Sequence, residues 1–101
     1  MERRWSRRKR VSQELLLRYE GLGTLRGETL DISFEGACIH TGVMTIPPSV
    51  EVELIFPRHE DVAAREVRIG ASVVRVYASG IAVRFQDYHE GSHRFLLGLL
   101  D

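Results

Sequence analysis

Apolar and polar side chains alternate along much of this chain. Val50, Val52, Leu54 and Phe56 fall on one side of a run whose other side carries Glu51 and Glu53, the two-residue period of a half-buried strand. Val11 to Tyr19 predicts an earlier strand, closed by a tight turn over Glu20-Gly21-Leu22-Gly23. Thr24 to Ser33 predicts a second, with Leu25, Leu30 and Ile32 apolar, and Gly36 separates it from a short third over Ala37 to Thr41. Pro47-Pro48 forces a loop, since neither proline donates to a ladder. Glu66 to Tyr77 is rich in β-branched residues, and Ala78-Ser79-Gly80 turns it into a last strand over Ile81 to Phe85. Ser92 to Leu100 predicts one helix with Ser92 as its N-cap.

These elements predict an all-β chain with a terminal helix. Antiparallel hairpins at this spacing close most readily into a small six-stranded β-barrel, which removes exposed edges; an open sheet capped by the helix is the competing arrangement. Residues 1–10 carry no apolar period and are expected to form a flexible basic N-terminal arm, with residues 11–101 as the barrel and helix. At 101 residues the chain is one domain with no room for a separate catalytic one.

Charge sharpens this picture. The formal net charge is +0, yet the first ten residues hold six basic groups and only Glu2 as an acid, a local excess of +5 that leaves −5 on the rest. A polycationic arm on an acidic body points to an anionic partner, or else to a solvated tail. Cys38 is the single cysteine, which excludes an internal disulfide and a multi-thiolate zinc site and fits a cytoplasmic setting. No apolar run approaches a membrane span, and the arginine-dense start lacks the apolar core of a signal peptide.

Two segments carry candidate chemistry: Arg3-Arg4-Trp5-Ser6-Arg7-Arg8, and Asp31-Ile32-Ser33-Phe34-Glu35-Gly36 at the end of the second strand. Strand alternation would put Asp31 and Ser33 on one face, and Gly36 lets a ligand or a tight bend approach its backbone. D-x-S-x-x-G alone is also compatible with an ordinary strand-end turn. Joined to the upstream arginines, however, the pattern resembles the PilZ domain family, which pairs R-x-x-x-R with [D/N]-x-S-x-x-G across two strands and a turn. The second motif is complete in Asp31, Ser33 and Gly36; the first has two registers, Arg4 with Arg8 or Arg3 with Arg7. Arg4 and Arg8 are preferred, since Arg3 then supplies the extra arginine that often precedes the motif.

The resemblance implies that the ligand is cyclic di-GMP, that the chain is no enzyme and needs no cofactor, and that a downstream protein reads the bound state. The residue types suit that ligand. Arginine's planar fork grips phosphate oxygens and the guanine O6/N7 edge. Asp31 can accept from guanine N–H groups, and Ser33 can donate or accept. The arm would then close over the ligand against the barrel. Two other readings stay open, a nucleotide-independent adaptor of the same fold and a small nucleic-acid-binding barrel, although duplex binding is not expected.

His89-Glu90-Gly91-Ser92-His93 matches the H-E-x-x-H zinc signature, but Gly91 and Ser92 weaken the helix that chemistry needs. It reads instead as a loop leading into the last helix, with no metal site. Cys38 is expected to pack rather than react; Arg75 and Arg84, on strands near the barrel's end, could add phosphate contacts but are expected to face solvent.

Overall fold

The computed structural model describes residues 8–20, 23–42, 46–57, 66–87 and 90–100. Six strands follow in chain order: β1 (Glu14–Tyr19), β2 (Gly23–Ile32), β3 (Gly36–His40), β4 (Glu51–Phe56), β5 (Val67–Val76) and β6 (Gly80–Asp87), with one helix, α1 (Glu90–Leu100). All pairings are antiparallel and the sheet closes in the order β1-β2-β3-β6-β5-β4. The barrel therefore prevails over the open sheet.

The alternation seen in the sequence sets the inside. Leu15 and Leu17, Ile39, Leu54 and Phe56, Ile69 and Val73, and Ile81 and Val83 are buried in one core. Each such side chain contributes roughly 1.5–3 kcal/mol on burial. The helix closes one end. Leu96 is fully buried, and the Phe95 ring lies 4.9 Å from that of Phe56.

Three extra residues interrupt the ladders, one of them Gln86 on β6, where the register shifts between Gly70 and Ala71 of β5. The β2–β3 register shifts between Thr29 and Asp31, and the β5–β6 register between Val73 and Arg75. Leu30 and Val74 are the odd residues, and these β-bulges turn both apolar side chains outward, 56% and 57% exposed.

Most element ends shift by a residue or more from the sequence pattern, β6 for example running from Gly80 to Asp87 rather than from Ile81 to Phe85. β1 starts at Glu14 rather than Val11. Val11 and Gln13 are held instead by the side chain of buried Thr29, whose hydroxyl accepts from the Gln13 amide at 2.9 Å and donates to the Val11 carbonyl. The expected arm is also fixed at its inner end. Lys9 and Ile32 exchange two backbone hydrogen bonds of 2.8 and 2.9 Å, so the unstructured reading of residues 1–10 is corrected at Lys9; residues 1–7 lie outside the described residues. β2 stops at Ile32, before Ser33. α1 begins at Glu90, which places Ser92 within the helix and not at its cap. Ser92 is fully buried, and its hydroxyl donates to the Arg68 carbonyl at 3.4 Å. Packing against β5 has overridden the capping preference, and the stretch read as a leading loop is helical from Glu90 on; His89 lies outside the described residues.

Thr29 makes a direct test of how the inner arm is held. Thr29→Val keeps the shape but strands the Gln13 amide and the Val11 carbonyl, and should cost about 1–3 kcal/mol. A lowered denaturant midpoint with faster amide exchange at Gln13 is the expected outcome.

Candidate functional site

The turn between β2 and β3 is built by Ser33. Its buried hydroxyl accepts from the amides of Glu35 at 3.1 Å and Gly36 at 3.3 Å, while its own amide donates to the Gly36 carbonyl at 2.9 Å. The alternation that would set Asp31 and Ser33 on one face ends at Ile32. Asp31 instead faces outward, with 27% of its side chain exposed. Ser33 turns inward, so it shapes the loop and does not offer its hydroxyl at the surface.

Gly36 has a reason other than room for a ligand. A Cβ built there would stand 2.1 Å from the Val83 carbonyl oxygen of β6, a separation no side chain tolerates. The neighbouring Phe85 amide donates to the Glu35 carbonyl at 2.8 Å. The turn is thus clamped onto β6 by close backbone approach. Phe34, at its tip, meets the His93 ring of α1 with centroids 5.5 Å apart.

Arg8 closes the outer side of this turn. Its guanidinium donates to the Asp31 carboxylate at 2.5 Å and reaches within 4.0 Å of the Cys38 sulfur. Desolvation works against the charged guanidinium, but the hydrogen bond and charge of Asp31 outweigh it and raise the Arg8 pKa. The pair is partly exposed, with 43% of the Arg8 side chain in solvent. Such screened pairs contribute only about 0–1 kcal/mol.

Arg8, Asp31, Ser33 and Gly36 are therefore brought into one neighbourhood. Arg3, Arg4 and Arg7 lie outside the described residues. Sequence reasoning missed the adjacency of Cys38, and it missed that Arg84 lies directly opposite Gly36. Both follow from strand pairings between distant segments, and no local pattern encodes them.

The comparisons accord with this geometry. The PilZ domain family model matches residues 2–101. The chain belongs to the PilZ domain family. PilZ domains are cyclic di-GMP receptor and regulatory modules. Two solved structures share the fold. One is the inhibitor of motility MotI/DgrA of Bacillus subtilis, with a TM-score of 0.76 and 17% identity over 99% of this chain and 49% of that one. The other is the PilZ domain of CeSA from a cellulose-synthesizing bacterium, with a TM-score of 0.71 and 14% identity over 94% and 95% of the two chains. The present chain thus spans about half the length of the Bacillus protein. No curated protein matches it. Among the described residues, no cluster of His, Cys, Asp or Glu could hold a metal ion, and no helix is long and apolar enough to cross a membrane.

Cys38 reports on the electrostatics of the cluster. Burial raises its thiol pKa, the Asp31 charge adds to the rise, and Arg8 opposes it. The folded chain keeps that proton to higher pH than the unfolded one, so this contribution to stability is present below the unfolded thiol's pKa and fades as pH rises through the folded value. The pH profile of thiol alkylation, which follows the thiolate, should lie above that of an ordinary cysteine. Asp31→Asn should move it down and Arg8→Ala up; no response to either change would contradict the observed cluster.

Proposed function

We propose that this PilZ domain binds cyclic di-GMP on the outer face of the barrel, at the junction of Arg8, Asp31 and the Ser33–Gly36 turn. The observation that carries the reading is the Arg8–Asp31 ion pair, which brings the arginine arm against the strand-end motif. A pair worth about 0–1 kcal/mol is easily exchanged for the ligand. Charge-assisted hydrogen bonds contribute about 1.5–3 kcal/mol each, so the balance favours opening the pair once phosphate and guanine are present. Arg8 then grips a phosphate or the guanine O6/N7 edge, and Asp31 accepts from guanine N–H groups. Ser33 acts indirectly, by holding the turn.

Arg4 joins Arg8 in this scheme, with Arg3 as the preceding arginine; the alternative register uses Arg3 and Arg7. The arm's charge excess of +5 opposes its own compaction until the ligand's phosphates neutralise part of it. The ordered arm is the surface that a downstream protein reads. The chain performs no catalysis in this scheme, and the lone thiol fits the reducing bacterial cytoplasm.

Calorimetric titration with cyclic di-GMP tests the proposal. Binding is expected, with Arg8→Ala or Arg4→Ala weakening it by about 1.5–3 kcal/mol per lost charge-assisted contact. Unaltered affinity in both the Arg4/Arg8 and the Arg3/Arg7 double alanine variants would refute the assigned arm. Absence of binding by the intact chain would refute the proposal and leave the nucleotide-independent adaptor and the small nucleic-acid-binding barrel.

A further inference from the structure

The strand register carries the candidate site beyond its two signature segments. Asp31 of β2 lies opposite Cys38 of β3, Cys38 opposite Ala82 of β6, and Ala82 opposite Arg75 of β5. These residues make one transverse row across four strands, about 15 Å from end to end at the usual strand spacing. Arg84 stands two residues beyond Ala82 on β6, hence on the same outer face, with Gly36 on one side and Ser72 on the other. Arg75 and Arg84 are both exposed.

Arg84 has a fixed backbone position beside the turn. Its backbone is fixed by the Phe85 amide donating to Glu35 at 2.8 Å, and its Cα lies 3.2 Å from where a Cβ on Gly36 would be. The Ser72 hydroxyl beside it is already engaged by Gln86. Among the described residues neither Arg84 nor Arg75 has an ion-pair partner. Arg18 and Arg68, by contrast, are matched by Glu53 and Glu66. Arg8 is matched by Asp31, so that pair carries no net charge, and Glu35 of the turn adds a carboxylate. The cationic character of this face therefore comes from β5 and β6.

We infer that Arg84 is a third ligand contact, outside both signature segments, which binds a phosphodiester of the cyclic dinucleotide from the barrel side while Arg75 extends the same cationic face. The inference rests on the cyclic di-GMP reading above. The anion would then be held between Arg8 on one side and a strand-borne guanidinium on the other.

Calorimetry with cyclic di-GMP on the intact chain, Arg84→Gln and Arg26→Gln tests this, with thermal melting as a check on folding. Arg26 is an exposed arginine on β2 opposite Leu16, away from the row, and controls for loss of one charge. Arg84→Gln should weaken binding about 10- to 100-fold with unchanged melting, while Arg26→Gln binds like the intact chain. If the intact chain binds and Arg84→Gln matches it, or both variants weaken equally, the Arg84 assignment is overturned and the ligand reading stands. If the intact chain does not bind, the ligand reading fails and Arg84 loses its role with it.

Discussion

The close approach of β3 to β6 at Gly36 organises both the barrel and the candidate site. With the Val83 carbonyl 2.1 Å from where a Cβ would sit, only glycine lets the two strands meet there. The meeting also fixes the Glu35–Phe85 hydrogen bond at 2.8 Å, and with it the orientation of the turn that Ser33 braces from within. Asp31 is aimed outward from one end of this turn, and Phe34 reaches α1 from its tip. Gly80 repeats the constraint at the other end of β3, where a Cβ would lie 2.3 Å from the Ile39 carbonyl. The two glycines pin both ends of the seam that closes the barrel between its two halves.

From that seam the path to function is short. The Lys9–Ile32 bridge delivers Arg8 to Asp31, just before the turn. The ion pair is too exposed to contribute much stability, as its proposed exchange for a ligand requires. On the opposite side of the turn the Phe34–His93 ring contact ties the loop to the helix that caps the core through Leu96 and Phe95. A change at the turn therefore has a packed route to α1, and Arg8, β6 and the helix all border it.

Much of this fold was legible in the sequence because strands announce themselves locally. Val50 to Phe56 alternates except at Ile55, Pro47-Pro48 marks a break, and the glycines near residues 23, 36 and 80 fall at strand ends. Legibility failed where a distant partner decided the outcome. Thr29 reaches back to Val11 and Gln13 and so replaces the first three residues expected of β1. Ser92 looks like a cap, yet burial against Arg68 draws it inside the helix. The bulges at Leu30 and Val74 shift side chains between faces, because one added residue inverts a two-residue period. In the site, Asp31, Ser33 and Gly36 were visible as a motif, but their division of labour was not. It took the β2 end to separate an outward carboxylate from an inward hydroxyl, and the β3–β6 pairing to show what occupies the space at Gly36.

A ligand bound as proposed settles at the turn and β6, and not in the concavity over β1, β2 and β3. That concavity is an open groove of about 530 Å³ lined by Leu16, Arg26, Glu28 and His40 among others, with Glu14, Glu28 and His40 in one row across β1, β2 and β3. Backbone amide shifts during a cyclic di-GMP titration separate the two directly. The account expects the largest changes at Arg8–Lys9, Asp31–Cys38 and Ala82–Phe85, with the amides of the arm becoming protected at saturation. Changes concentrated at Glu14–Leu16, Arg26–Glu28 and His40–Gly42, with the Ser33–Gly36 turn undisturbed, would contradict it.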